Sequence, residues 1–173
     1  RDFLEKDLPD EPSCLILDIR MPGLSGLDLQ DELVKRGLTI PVIFITGHGT
    51  VPMSVRAMKS GAVDFLQKPF EDQALLDAIN KAVDQNRQTR MDQAEMRGIK
   101  RRVESLTPRE YEILVLVATG MLNKQIAYEL NISERTVKAH RKQVFDKMGV
   151  NSIAELVRLT ETLGIKPAVP GTK

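Results

Sequence analysis

Short apolar runs alternate with amphipathic stretches over the first half of the chain, whereas the second half shows helical spacing alone. Residues 15–18, 42–46 and 63–66 are short and apolar on both faces, as expected of strands in a parallel sheet covered by helices. Between them, residues 27–36 and 51–60 carry helical patterns closed by Gly37 and Gly61, since a helix C-terminus prefers glycine. A third helix is expected after Pro69-Phe70, with Leu75, Leu76, Ile79 and Val83 on one face. The order βαβαβα implies one α/β unit.

From Gln85 to Glu104 apolar residues thin out while Arg87, Arg90, Arg97, Lys100, Arg101 and Arg102 accumulate. Gln, Arg, Met, Ala and Glu dominate here, so the preceding helix is expected to run on as a solvated linker; a flexible tether is the alternative. Beyond it the pattern is helical throughout. Thr107-Pro108-Arg109-Glu110 is a capping box with proline at the first helical position, opening a helix that ends at Gly120. A short helix over 124–130 has Asn123 as its expected cap, and a longer one over 134–148 has Ser133. Ser152 and Glu155 form a second expected capping box, for a helix closing at Gly164. The tail, 166–173, has two prolines and no periodicity, and is expected to be disordered. The expected division is an α/β domain over 1–84, a linker over 85–103, and an all-α domain of four helices over 104–165.

The formal net charge of +1 conceals an asymmetry. Residues 1–86 hold 9 basic and 14 acidic side chains, and residues 87–173 hold 16 and 10, so only the second half is suited to a polyanion. One cysteine, Cys14, cannot form an internal disulfide and opens an apolar run where a small buried thiol fits. No apolar stretch approaches the roughly 18 residues that span a bilayer, and the first residues lack the apolar middle of a signal peptide. A cytoplasmic protein with no membrane partner is expected.

An aspartate at the carboxyl end of a buried parallel strand stands where open α/β sheets place their sites, and Asp18 is there. Thr46 closes the next strand and Lys68 follows the last. A carboxylate, a hydroxyl and an ammonium at one sheet edge are the equipment for receiving a phosphoryl group, because positioning and charge neutralisation carry most of that chemistry. Three segments strengthen this reading: Asp18-Ile19-Arg20-Met21-Pro22-Gly23-Leu24-Ser25-Gly26, Ile45-Thr46-Gly47-His48-Gly49, and Gly61 through Phe70. Together they resemble the receiver domain of two-component response regulators, closest to the FixJ type. The resemblance implies a flavodoxin-like parallel sheet in which Asp18 accepts phosphate from a sensor histidine kinase. It also makes Thr46 the switch hydroxyl, Phe65 the switch aromatic and Lys68 the ion-pair partner of the phosphoryl group, and it implies a cis bond before Pro69. Asp18 and the backbone carbonyl of Arg20 become ligands of Mg2+. His48, beside two glycines, is given no role.

The chain departs from that family at its start. A complete receiver opens with a strand and an adjoining acidic pair that binds Mg2+, and neither is found; residues 1–6 resemble the end of a later helix. Asp2, Asp7, Asp10 and Glu11 are not at strand ends and do not replace the pair. Asp18 alone is therefore expected to bind Mg2+ weakly. With the first strand-helix-strand missing, residues 14–18 are expected to form an exposed apolar sheet edge. The chain is accordingly expected to be a fragment of a longer product.

In the second half, Arg135, Lys138 and Lys142 share one face of the third helix at i, i+3 and i+7, with Arg141 beside them. Val137, His140, Val144 and Met148 form the opposite, inward stripe, where His140 is expected as a packed imidazole. The segments Leu106 to Glu110, Asn123 to Ala127, Ile132-Ser133, Thr136 to His140 and Lys147 to Val150 resemble the LuxR-type helix-turn-helix domain of the NarL/FixJ family. The resemblance implies that Lys138, Ala139 and Lys142 face base edges of double-stranded DNA and that Asn123, Thr136 and Arg141 contact phosphates. It implies pairing of two copies through the last helix, whose Ile153, Leu156, Val157, Thr160 and Leu163 share one side, and leaves RNA polymerase as a further partner. Together the halves are expected to be a phosphorylation-controlled transcription factor and not an enzyme. An aspartyl-phosphate phosphatase would need a second acid behind Asp18, and Ile19-Arg20 supplies none. The other alternative is a DNA-binding or protein-interaction module independent of phosphorylation.

Overall fold

The apolar runs of the first half pair side by side, all in one direction. In a computed structural model that describes Leu4 and residues 9–165, strands β1 (Leu15–Asp18), β2 (Val42–Thr46) and β3 (Asp64–Gln67) form a parallel sheet in that order. Leu17 lies beside Phe44 and Phe44 beside Phe65, so the three strands end at nearly one level. β3 begins one residue later than its apolar run suggests. Val63 gives its N–H to the Val42 carbonyl at 2.8 Å and is buried, but the paired register starts at Asp64; burial extends past the ladder.

Helices α1 (Gly26–Lys35) and α2 (Val51–Lys59) follow the first two strands. Ser25 caps α1 by accepting the Asp28 N–H, and Gly37 and Gly61 take φ of 68° and 88° just past the helix ends, a conformation that costs glycine little. The two-residue period of β2 divides the core. Phe44 and Val42 pack with Leu17, Leu27, Leu33 and Ala57, whereas Ile43 packs on the other face with Val63, Ala78 and Ala82. Burying a side chain such as Leu33 or Phe44 contributes about 1.5–3 kcal/mol. Among the described residues β1 pairs on one side only, and Ile16 on that strand is 40% exposed. Cys14 precedes β1 and is half-buried rather than buried; desolvation against Ile43, Val63, Ala78 and Ala82 raises its thiol pKa, which leaves it a poor nucleophile.

Helix α3 begins at Asp72 and continues without a break to Glu104. Most of residues 85–103 are exposed, with exceptions toward either end. Asn86 is buried, accepting the Ser13 N–H and donating to the Thr39 carbonyl, and Ile99 is buried at the other end. Sparse apolar content concealed these two positions, one of which is polar but fully engaged. The chain divides into two compact units, Arg1–Asp92 and Gln93–Lys173.

In the second unit, α4 (Pro108–Ala118), α5 (Asn123–Glu129), α6 (Glu134–Met148) and α7 (Ile153–Thr162) surround one core containing Ile113, Leu114, Ile126, Val137, Val144, Met148 and Leu156. The capping box of α4 forms in both directions, Thr107 Oγ1 accepting from Glu110 N and Glu110 Oε2 from Thr107 N. That of α7 does not. Ser152 accepts the Glu155 N–H, but the Glu155 carboxylate reaches past Ser152 to the Asn151 N–H at 2.8 Å. Nor does Asn123 cap α5: it is the first helical residue, Leu122 stands at the cap, and Gln125 Oε1 accepts the Leu122 N–H. The turn into α6 passes through Asn131 at φ 49°, a left-handed position that asparagine tolerates. The tail 166–173 and residues 1–6, Leu4 apart, lie outside the described residues.

Candidate phosphoryl-acceptor site and nucleic-acid interface

Because the strands stop together, residues far apart in sequence meet at their carboxyl ends. Asp18 Oδ2 accepts from Lys68 Nζ at 3.1 Å, and Oδ1 accepts the Arg20 N–H at 3.0 Å. The Arg20 bond first, and then the Lys68 ammonium, hold the Asp18 carboxyl below the ordinary aspartate range. Lys68 is set at this distance by its own N–H, which donates to the Thr46 carbonyl at 2.8 Å, and the bond to Pro69 is cis. Gly26 admits the start of α1: a Cβ there would lie 2.5 Å from the Asp18 carbonyl oxygen.

Thr46 is 1% exposed, and its Oγ1 accepts the His48 N–H at 3.3 Å. Phe65 is half-buried beside it. A Cβ on Gly49 would lie 3.0 Å from Phe65 Cε1 and 3.1 Å from Thr46 Cγ2, so the glycine, the ring and the threonine methyl share one small space.

Receiver domains bind Mg2+, yet among the described residues no group of three acidic, histidine or cysteine side chains is placed to hold a metal. Asp18 supplies a single carboxylate, already engaged through both oxygens, and the Arg20 group turned toward it is an N–H. A hard dication with few protein ligands normally needs more anionic oxygen than this, so the described residues do not fit the ion.

On α6 of the second unit, Arg135, Lys138, Ala139 and Lys142 are exposed, while Val137, Val144 and Met148 are buried. His140 is only half-buried, although its Nδ1 is sealed from solvent and has no hydrogen-bond partner among the described residues. Ser133 Oγ accepts the Thr136 N–H at 3.1 Å and shares a 2.8 Å hydrogen bond with the Thr136 hydroxyl. Asn123 and Arg141 meet directly: Arg141 Nη1 donates to Asn123 Oδ1 at 2.6 Å. Of the stripe expected on α7, Leu156 and Thr160 are buried and Ile153 is exposed.

Two supports of this surface escaped sequence reasoning. Lys147 Nζ lies 2.6 Å from the buried Glu110 carboxylate, tying the end of α6 to the start of α4. Arg102 Nη1 donates to the Met148 carbonyl at 2.7 Å, satisfying the last turn of α6 from α3. The only available signal was charge next to a helix end, which is common on any surface.

Residues 1–80 match the family model described as response regulator receiver domain, and residues 104–160 match bacterial regulatory proteins of the luxR family. Nodulation protein W of Bradyrhizobium diazoefficiens is 54% identical over 95% of this chain and 73% of its own length. Transcriptional regulatory protein FixJ of Azorhizobium caulinodans is 41% identical over 98% of this chain and 81% of its own. The solved structure of the response regulator StyR superposes with a TM-score of 0.82 at 48% identity, covering 93% of this chain and 81% of that one. The chain therefore belongs to the two-component response regulators that join a receiver domain to a LuxR-type DNA-binding domain, the FixJ kind among them.

Proposed function

We propose that Asp18 is the phosphoryl acceptor and that its modification controls how α6 grips duplex DNA, in the cytoplasm, in response to a sensor histidine kinase. The observation that supports this most directly is the Asp18–Lys68 pair with Thr46 and Phe65 behind it. A carboxylate oxygen of Asp18 attacks phosphorus; the new O–P bond forms as the donor's N–P bond breaks, and the electron pair leaves with the donor imidazole. Lys68 offsets the added negative charge. Thr46 exchanges its bond with His48 for one to the phosphoryl oxygens, and Phe65 follows into the space beside Gly49. Lys138, Ala139 and Lys142 face bases, where Ala139 can touch a thymine methyl but make no side-chain hydrogen bond. Thr136, Arg141 and Asn123 face the backbone. Pairing of two copies uses the Ile153 side of α7, and RNA polymerase is the downstream partner.

The test compares binding of the chain to a DNA duplex with and without a small-molecule phosphodonor, for wild type and Asp18→Asn. The donor should tighten wild-type binding and leave Asp18→Asn unchanged. Equal binding in all four arms would favour a phosphorylation-independent module.

A further inference from the structure

We propose that Asn123 and Arg141 work as one unit, in which Asn123 is a positioning residue that holds the Arg141 guanidinium toward a single backbone phosphate. This rests on the reading that the second unit binds duplex DNA, and it replaces two separate phosphate contacts with one.

Arg141 is half-buried and restrained from two sides. Its Nη1 donates to Asn123 Oδ1 at 2.6 Å across the turn between α5 and α6, and its guanidinium carbon lies 5.9 Å from the centroid of the Phe145 ring, one helical turn on. The choice of partner is informative. Among the described residues no carboxylate pairs with Arg141, and its side-chain partner is the neutral amide of Asn123. A neutral amide thus fixes the orientation of the cation without cancelling its charge.

The chemistry left over is all donor. Guanidinium carries five N–H groups in a rigid fork, so holding one nitrogen orients the others. The Asn123 carbonyl oxygen is taken by Arg141 Nη1, so the donors offered to a phosphate are the remaining guanidinium N–H groups. Adjacent oriented donors bearing one positive charge suit the two free oxygens of a phosphodiester. A loose arginine would have to be immobilised on binding, which weakens association about 2- to 10-fold per side chain; the Asn123 bond removes that loss beforehand.

The experiment measures binding of the full chain to a mixed-sequence DNA duplex over a salt series, since phosphate contacts do not depend on sequence. Arg141→Ala should lower the log-log salt slope by about 0.9. Asn123→Ala should keep the slope but weaken binding about 2- to 10-fold, and should add nothing in the Arg141→Ala background. Asn123→Asp keeps an acceptor for Arg141 and hence the local fold, but cancels its charge, so its slope should fall as in Arg141→Ala; this variant decides the matter if Asn123→Ala does not fold. An undiminished Asn123→Ala cost in the double variant, or a loss of two slope units there, overturns the pairing. A wild-type chain that binds no duplex at low salt sinks the DNA-binding reading and this inference together; overturning results on a binding-competent wild type sink the inference alone.

Discussion

In the first unit a carboxylate, a hydroxyl and an ammonium from positions 18, 46 and 68 meet because three parallel strands end at one level. In the second, the proposed phosphate-facing groups come from α5 and α6, two helices joined by a short turn, and α6 opens on a Ser133 cap that accepts the N–H of Thr136, three residues on. The supports differ as well. Among the described residues the sheet has no strand beyond β1 and a core divided between its two faces, whereas α4 to α7 enclose one continuous core. A site assembled from strand ends depends on packing far from itself; one built on capped helices depends mostly on its neighbours.

The sharpest way to break this contrast is to cut the single core. Leu114→Ala, at a fully buried position, should destabilise the second unit by about 2–5 kcal/mol, read from the urea dependence of amide NMR signals. The signals of residues 15–67 should keep their midpoint; a common shift would show that the units unfold as one.

A smaller effect is expected at the Glu110–Lys147 pair. Glu110→Gln should cost about 2 kcal/mol, the scale of hydrogen bonds to a charged group. The Lys147 ammonium, then the Thr107 N–H, hold the Glu110 pKa below its ordinary value. A depressed carboxylate pKa contributes stability that is fully present above the unfolded value and is lost as pH falls through the folded one. Acid unfolding of the second unit should therefore steepen below about pH 4.3, the ordinary glutamate pKa, and Glu110→Gln should remove that part of the slope. An identical acid profile for both proteins would show that the pair does not stabilise the fold.

The smallest change in stability, within about 0.5 kcal/mol, is expected for Ile16→Lys on β1, since the side chain is already 40% exposed. Its effect should appear in solubility instead, because charge on a strand edge blocks pairing with another chain. Light scattering of concentrated samples would measure it, and unchanged association would mean that β1 is not the sticky edge.

Much of this was legible beforehand. The alternating runs mark three strands, β3 alone being displaced by one residue at both its start and its end, and they bring Asp18, Thr46 and Lys68 to one sheet edge. The Thr107–Glu110 box, the Ser133 cap and the terminal glycines follow from interactions between residues three or four apart, which a linear pattern displays directly.

What the tertiary structure decided are bonds between residues with no linear relation. Asn86 ties down the chain before β1 and β2, Lys147 serves Glu110, Arg102 ends α6, and Asn123 leaves the expected cap to hold Arg141. In each case a polar or charged side chain looked like ordinary surface, because its role depends on which backbone or carboxylate folding brings within about 3 Å, a distance that periodicity and propensity do not encode. Local order in this chain is thus written in its pattern of neighbours, and the partner of each long polar side chain is settled only when the elements pack.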